Sequence, residues 1–287
     1  MVRNKAFSWE KVVFRKPDFS EITREFMCFD MHVHSLYSDS HTRISSIIKK
    51  SQRLGIGIGL TDHNSIKGAI ELSKRFDKTI PGIEVTLYEG THMLVYFYTP
   101  SDLRSFYERC IEKNKGRSPY LRTKVTMEKL LEYAKKFNGL IGPAHPFFPS
   151  ISGFWKNLDR GLYNEDLVGR FDFIEVFNGQ NIQNWNLKSI KLACETQKPM
   201  IGGSDSHVLF EVGDVVTCAK ADSTDSFLKA VLKNKTIIYG KAITMPKRLV
   251  PHILTFKRHS RYLTPYIFSK MSGLITKRLR KYNPKIN

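Results

Sequence analysis

No stretch of this 287-residue sequence stays apolar for anything near the roughly 18 residues that a membrane-crossing helix requires. The beginning of the chain mixes Arg3, Lys5, Glu10 and Lys11 with Phe7 and Trp9. It lacks the continuous apolar core of a secretory signal, so the expected location is cytoplasmic. Cysteine is scarce. Cys28, Cys110, Cys194 and Cys218 lie far apart without a Cys-x-x-Cys pair, which argues against a zinc ribbon or a redox motif and favours buried free thiols. Neither a Gly-x-Ser-x-Gly elbow nor a Walker A loop occurs. Acidic residues are missing after Asp225, whereas fifteen Lys and Arg follow it, so most of the +19 formal charge belongs to the end of the chain. No internal repeat or low-complexity run is evident.

The length suits one α/β barrel or two small domains, and the 41% hydrophobic content is ordinary for a globular protein. From Phe26 onward the pattern alternates between short apolar runs and helical periodicity. Ile44, Ile47, Ile48 and Leu54 share one face of a helix that Gly55 closes as a C-terminal cap. Repeated strand, loop and helix units predict a parallel sheet, open or closed into a barrel. Residues 1–24, with Pro17 and a short polar helix around Ser20 to Arg24, read as a loosely attached leader. Residues 25–245 form the barrel, and residues 246–287 a basic C-terminal extension.

Polar residues collect where predicted strands end. His32 and His34 lie two apart, so a strand projects both from one face. His63 follows the strand Ile56 to Leu60, and Glu84 ends another. His92 opens the strand His92 to Phe97, His145 follows Gly139 to Pro143, Asn178 ends Phe171 to Asn178, and Asp205 and His207 follow Met200 to Gly203. In an α/β barrel the carboxyl ends of the strands form the face that holds the active site. With Asp39, six imidazoles and three carboxylates converge there, more than a single ion can use. Two or three divalent ions are implied, and nitrogen and oxygen donors without sulfur suit zinc, manganese or iron.

The Asp-x-His-x-His-Ser-x-x-Ser-Asp opening at Asp30, together with Thr61-Asp62-His63, Gly82-Ile83-Glu84, Ala144-His145-Pro146 and Gly203-Ser204-Asp205-Ser206-His207, resembles the motifs of the PHP (polymerase and histidinol phosphatase) domain family. The resemblance runs from about Phe26 to Tyr239. It implies a distorted (β/α)7 TIM-like barrel, a two- or three-metal centre and hydrolysis of phosphomonoesters or phosphodiesters. Carried over by position, it implies that His32, His34, Glu84 and Asp205 hold one metal. Glu84 then bridges to a second completed by His92 and His145, while Asp39, His63 and His207 hold a third. Many relatives carry histidine where this chain has Asp39, and others carry aspartate. Asp30 and Asp62 are expected to orient imidazoles from behind. The attacking group is then a metal-bound hydroxide, and no protein nucleophile is required.

Other residues have a functional and a plain reading side by side. His92 is a ligand or a strand-end surface histidine. Asn178 touches substrate or a metal-bound water, or it caps a loop. Lys115 and Arg117 reach a second phosphate, or belong to a solvated loop. The extension 246–287, with Tyr262, Tyr266, Phe268 and Leu274 among its cations, binds nucleic acid or an anionic membrane surface, or is simply solvated. The expected activity is a metal-dependent phosphoesterase, a phosphatase or exonuclease, acting on nucleotides or short oligonucleotides. The alternatives are a histidinol-phosphate-type phosphatase, an amidohydrolase-type metal hydrolase, and an inactive metal-stabilised scaffold that binds nucleic acid through its tail.

Overall fold

The computed structural model describes residues 7–116, 118 and 121–241. The expected basic extension 246–287 and Arg117 lie outside the described residues. Ten strands are present among them: β1 (Val12–Val13), β2 (Met27–Val33), β3 (Gly57–Leu60), β4 (Thr79–Thr86), β5 (His92–Tyr96), β6 (Leu140–Pro143), β7 (Ile174–Asn178), β8 (Met200–Gly203), β9 (Val215–Ala219) and β10 (Thr236–Gly240). A curled eight-stranded sheet runs β1-β10-β9-β2-β3-β4-β5-β6, and β7 pairs with β8.

The pair β7–β8 closes the gap between β6 and β2. Asp172 N donates to Ile141 O at 2.8 Å on one side, and Asp205 N donates to His32 O at 2.7 Å on the other. Strands β2 to β8 therefore enclose one barrel-like core, the architecture expected from the strand and helix alternation. Gly203 permits the close approach of β8 to β2, since a Cβ there would lie 2.4 Å from His32 Cβ and from His32 N. The helix Ile44–Leu54 buries Ile44, Ile47 and Ile48 against the sheet, and Gly55 ends it at φ 72°, a left-handed cap that glycine adopts without steric cost. Phe29, Met31, Tyr96, Phe173 and Ile201 form a second apolar cluster.

Three features differ from the expectation. The sheet is not all parallel: β5 runs antiparallel to β4 and β6, and β9 antiparallel to β2 and β10. The segment between β4 and β5 is too short for a crossover helix, so the two pair as a hairpin. The leader is not loose from residue 7 onward. β1 pairs in parallel with β10, Val12 is buried, and Ile22 on the helix Phe19–Ile22 packs into the core. Finally, Cys28 and Cys218 are joined in a disulfide rather than free. They face each other across β2 and β9 with Cα atoms 4.1 Å apart, a cross-strand pairing that 190 residues of separation conceal in the sequence. Cys110 and Cys194 are free.

Candidate metal centre

The antiparallel turn of β5 explains how a histidine at the start of a strand joins residues at the ends of others. Thr86, the last residue of β4, pairs with His92, so the beginning of β5 lies at the same rim as the ends of its neighbours. His92 Nδ1 and Glu84 Oε1 are 3.0 Å apart there. Around this rim the nine residues His32, His34, Asp39, His63, Glu84, His92, His145, Asp205 and His207 come together. Seven of them are at most 9% exposed, and the other two, His92 and His207, are partly buried.

Glu84 occupies the middle. Its Oε1 faces His92 Nδ1 at 3.0 Å and His145 Nε2 at 3.3 Å. Its Oε2 faces His63 Nδ1 at 3.0 Å and the Nε2 atoms of His32 and His34 at 3.4 Å each. Asp205 Oδ1 lies 3.5 Å from His32 Nε2 and 3.1 Å from His34 Nε2, and those two nitrogens are 3.1 Å apart. A tetrahedron with ligand bonds of about 2.0–2.1 Å has edges of about 3.3 Å. The three atoms His32 Nε2, His34 Nε2 and Glu84 Oε2 meet that spacing with one another, and Asp205 Oδ1 meets it with the two imidazole nitrogens. Asp39 Oδ2 stands 3.3 Å from His63 Nε2 and 3.0 Å from His207 Nε2, with Asp39 Oδ1 3.5 Å from His34 Nδ1.

Hydrogen bonding alone does not account for these contacts. His32 Nδ1 pairs with Glu175 Oε1 at 2.8 Å, which turns Nε2 toward another imidazole nitrogen and two carboxylates. His63 Nδ1 and Glu84 Oε2 approach without hydrogen-bond geometry, and both are buried without a hydrogen-bond partner, as is His145 Nδ1. Buried lone pairs pointing at one another are costly unless something positive lies between them. The donor set of imidazoles and carboxylates therefore fits divalent ions of the zinc, manganese or iron type.

Burial lowers His32 and His63, but the carboxylates beside them, Asp205, Glu175 and Glu84 for His32 and Glu84 and Asp39 for His63, hold both well above the usual imidazole range. Burial pushes the Glu84 carboxyl up, yet His63, His92 and His32 hold it well below the usual carboxylate range. Burial likewise raises Asp39 and Asp205, and both end well below that range, Asp39 through His207, His63 and His34 and Asp205 through His32, His34 and His207. Burial lowers His207, but Asp39 carries it up to about 9. His92 goes the other way, down to about 4, because burial outweighs Glu84. Three buried acids that stay ionised demand positive charge in the pocket, which imidazole protons or cations supply.

The residues expected behind the ligands are arranged differently. Asp30 reaches no imidazole ring. It accepts from Ser204 N at 2.8 Å, Ser204 Oγ at 2.6 Å and Gly213 N at 2.8 Å, tying β2 to the loop that carries Asp205, and burial pushes its carboxyl up to about 7. Asp62 accepts from Ser35 N and Ser35 Oγ at 2.7 and 2.6 Å and from Ser38 Oγ at 2.6 Å, so it orders the loop after His34 rather than a ring. Asn178 caps its loop by accepting from Gln180 N at 2.9 Å, and its Nδ2 donates to Asp205 Oδ2 at 3.2 Å. Lys115 donates to Asn64 O at 3.3 Å and lies over the Tyr107 ring, beside the His63 loop. The carboxylate that does grip an imidazole is Glu175, which the sequence reading passed over. A charge inside the apolar run Phe173-Ile174-Glu175-Val176-Phe177 was the available signal, since an acid inside a strand core needs partners.

Backbone strain gathers at the same rim. Asn64, His145 and Asp205 adopt φ values of 46°, 30° and 52°, in the left-handed region that disfavours side chains other than glycine.

Residues 30–169 match the PHP domain family and residues 183–236 the PHP-associated domain. This is a PHP-domain protein. An uncharacterized protein of Methanocaldococcus jannaschii is 28% identical over 165 residues, which cover 52% of this chain and 80% of that relative. Among solved structures, the lesion-specific endonuclease Q of Pyrococcus furiosus shares 24% identity at a TM-score of 0.60, over 74% of this chain and 57% of that one. A two-domain Bacteroides vulgatus protein containing a predicted PHP-like metal-dependent phosphoesterase shares 20% identity at a TM-score of 0.55, over 85% and 73% of the two chains. These structural likenesses are of fold. The PHP-domain chain spans little more than half the length of the endonuclease Q chain it matches.

Proposed function

We propose that this PHP-domain protein is a metal-dependent phosphoesterase that hydrolyses phosphate esters of nucleotides or short oligonucleotides, with His32, His34, Glu84 and Asp205 holding one ion, Glu84, His92 and His145 a second, and Asp39, His63 and His207 a third. The observation that carries the reading is the buried cluster of His32 Nε2, His34 Nε2 and Glu84 Oε2, which could hold a metal ion, with Asp205 Oδ1 3.5 and 3.1 Å from the same two nitrogens. When bound, such ions lower the pKa of a shared water and neutralise charge on the phosphoryl oxygens.

The chain's own residues do the positioning. Glu175 keeps His32 in the tautomer whose Nε2 is free to ligate. Asn178 restrains the outer oxygen of Asp205, leaving Oδ1 turned to the imidazoles. The hydroxyls of Ser35 and Ser38, on the loop after His34, each donate to Asp62 at 2.6 Å, so neither is poised as a nucleophile. Lys115, held beside the His63 loop by its bond to Asn64 O, is our candidate for meeting a second phosphate.

Elemental analysis of the purified protein combined with a panel of mono- and bisphosphorylated nucleotides tests this reading. Phosphate release is expected with manganese, zinc or iron, and His34→Ala and Asp205→Ala should abolish it while the far-ultraviolet circular dichroism is retained. Wild-type-like turnover in both variants would refute the assignment, and hydrolysis of amides or lactones in place of phosphate esters would move the protein to the amidohydrolase class. The likeness to endonuclease Q, which is also known in complex with a duplex carrying an abasic lesion at its active site, favours a second reading in which a DNA strand is cut. Incision of a labelled abasic duplex, set against release of mononucleotides from a short single strand, separates the two.

A further inference from the structure

Glu175 is buried as the second residue of β7 and stands behind the metal centre rather than in it. Its two oxygens reach three different parts of the site. Oε1 accepts from His32 Nδ1 at 2.8 Å, and Oε2 accepts from the backbone N of His145 at 2.6 Å and from Asn178 Nδ2 at 3.1 Å. Asn178 Nδ2 also donates to Asp205 Oδ2 at 3.2 Å. Three positions on β2, on the loop after β6 and on the loop after β8 are thus referred to one carboxylate. His145 adopts φ 30°, a strained conformation that its N–H bond to Glu175 helps to hold.

We infer that Glu175 is a positioning residue that couples two cation positions, the one bordered by His32 and Asp205 and the one bordered by His145, by acting as an acceptor toward both at once. The inference rests on the metal-centre reading above. Its force comes from the requirement that both oxygens accept. An ionised carboxylate has no donor and satisfies His32 Nδ1–H, His145 N–H and the Asn178 amide together. A glutamine of the same shape has one oxygen and one NH2 group. With its oxygen toward His32, the NH2 confronts two donors, and the His145 backbone and Asn178 lose their acceptor. With its oxygen toward His145, the NH2 confronts Nδ1 of His32, and the ring must move its proton to Nε2, the atom that faces Glu84 and Asp205. Either orientation disables one cation position and leaves the other supported. An ordinary packing residue would not divide the site in this way.

The test is metal binding by the full-length chain, measured by calorimetric titration of Mn2+ and of Zn2+ into protein stripped with chelator, with circular dichroism of the stripped protein as the control for folding. Glu175→Gln is expected to retain the wild-type spectrum when stripped, to lose one class of binding site, and to bind there about 10- to 100-fold more weakly. Glu175→Asp keeps two accepting oxygens on a shorter arm and is expected to recover part of the lost affinity. Asn178→Ala removes only the arm to Asp205 and is expected to weaken a single site by a smaller factor. Glu175→Gln with wild-type stoichiometry and affinity would overturn the inference, and so would an equal loss at every site, which signifies general loosening. If Glu175→Gln does not fold, Asn178→Ala decides, with unchanged affinity counting against the coupling. Absence of binding by the wild-type protein would instead sink the metal-centre reading itself, so the two failures are distinguishable.

Discussion

Removing metal should cost this protein a large part of its resistance to heat, and the size of the loss follows from the number of cations held. Glu84, Asp39 and Asp205 are buried and ionised, and unfolding scatters the side chains that face them, so ions of the kind proposed bind the folded chain and not the unfolded one. Each site filled at a free concentration 100-fold above its dissociation constant stabilises the fold by about 2.7 kcal/mol. Two independent sites then contribute about 5 kcal/mol and three about 8 kcal/mol. At about 2–4 °C per kcal/mol for a domain near 200 residues, two sites raise Tm by roughly 10–20 °C and three by roughly 16–32 °C. Differential scanning calorimetry of chelator-stripped protein, repeated at increasing Mn2+ or Zn2+, reads this directly, and the increment should keep growing with the logarithm of free metal. His34→Ala, which removes one ligand of a single proposed site, should lose that site's share of the increment, about 2.7 kcal/mol. A Tm that moves by less than about 2 °C under saturating conditions with either ion would refute the reasoning, because no tight site for the folded state could then exist.

Gly203→Ala should weaken metal binding and stability together by about 1–3 kcal/mol, as urea midpoints and calorimetric titration would show, because a methyl 2.4 Å from His32 N forces β8 away from β2. Val12→Ala should lower stability by about 1–2 kcal/mol at an unchanged urea m-value, since β1 is part of the sheet and Val12 is buried against it. Activity per folded molecule should stay the same. Deleting residues 246–287 should reduce binding of RNA or anionic vesicles at low salt and flatten its salt dependence, measured by fluorescence anisotropy or sedimentation. Undiminished binding would dismiss a role for that segment.

Most of the candidate site was legible because chemistry and periodicity agree at strand ends. His32 and His34 announce a shared face by their spacing, and His63, His145 and Asp205 each follow a short apolar run. What could not be read depends on pairings between distant segments. His92 reaches the rim only because β5 reverses direction, which its own residues do not declare. Cys28 and Cys218 meet through the register of β2 against β9, and β1 finds its place only once β10 is in position. Asp30 and Asp62 illustrate a subtler limit. A carboxylate adjacent to a ligand suggests a partner for the ring, but both are taken by serine hydroxyls and backbone N–H groups that the fold brings in from other segments. Glu175 holds the ring instead, from a strand far away in sequence.

The left-handed conformations at Asn64, His145 and Asp205 have an energetic corollary. Each costs on the order of 1–2 kcal/mol relative to glycine. Glycine at His145 or Asp205 would relieve that cost and make the fold sturdier, at the loss of the side chain that reaches the cluster. Aspartate and histidine in such unfavourable postures mark the places where this chain gives up firmness to present a side chain.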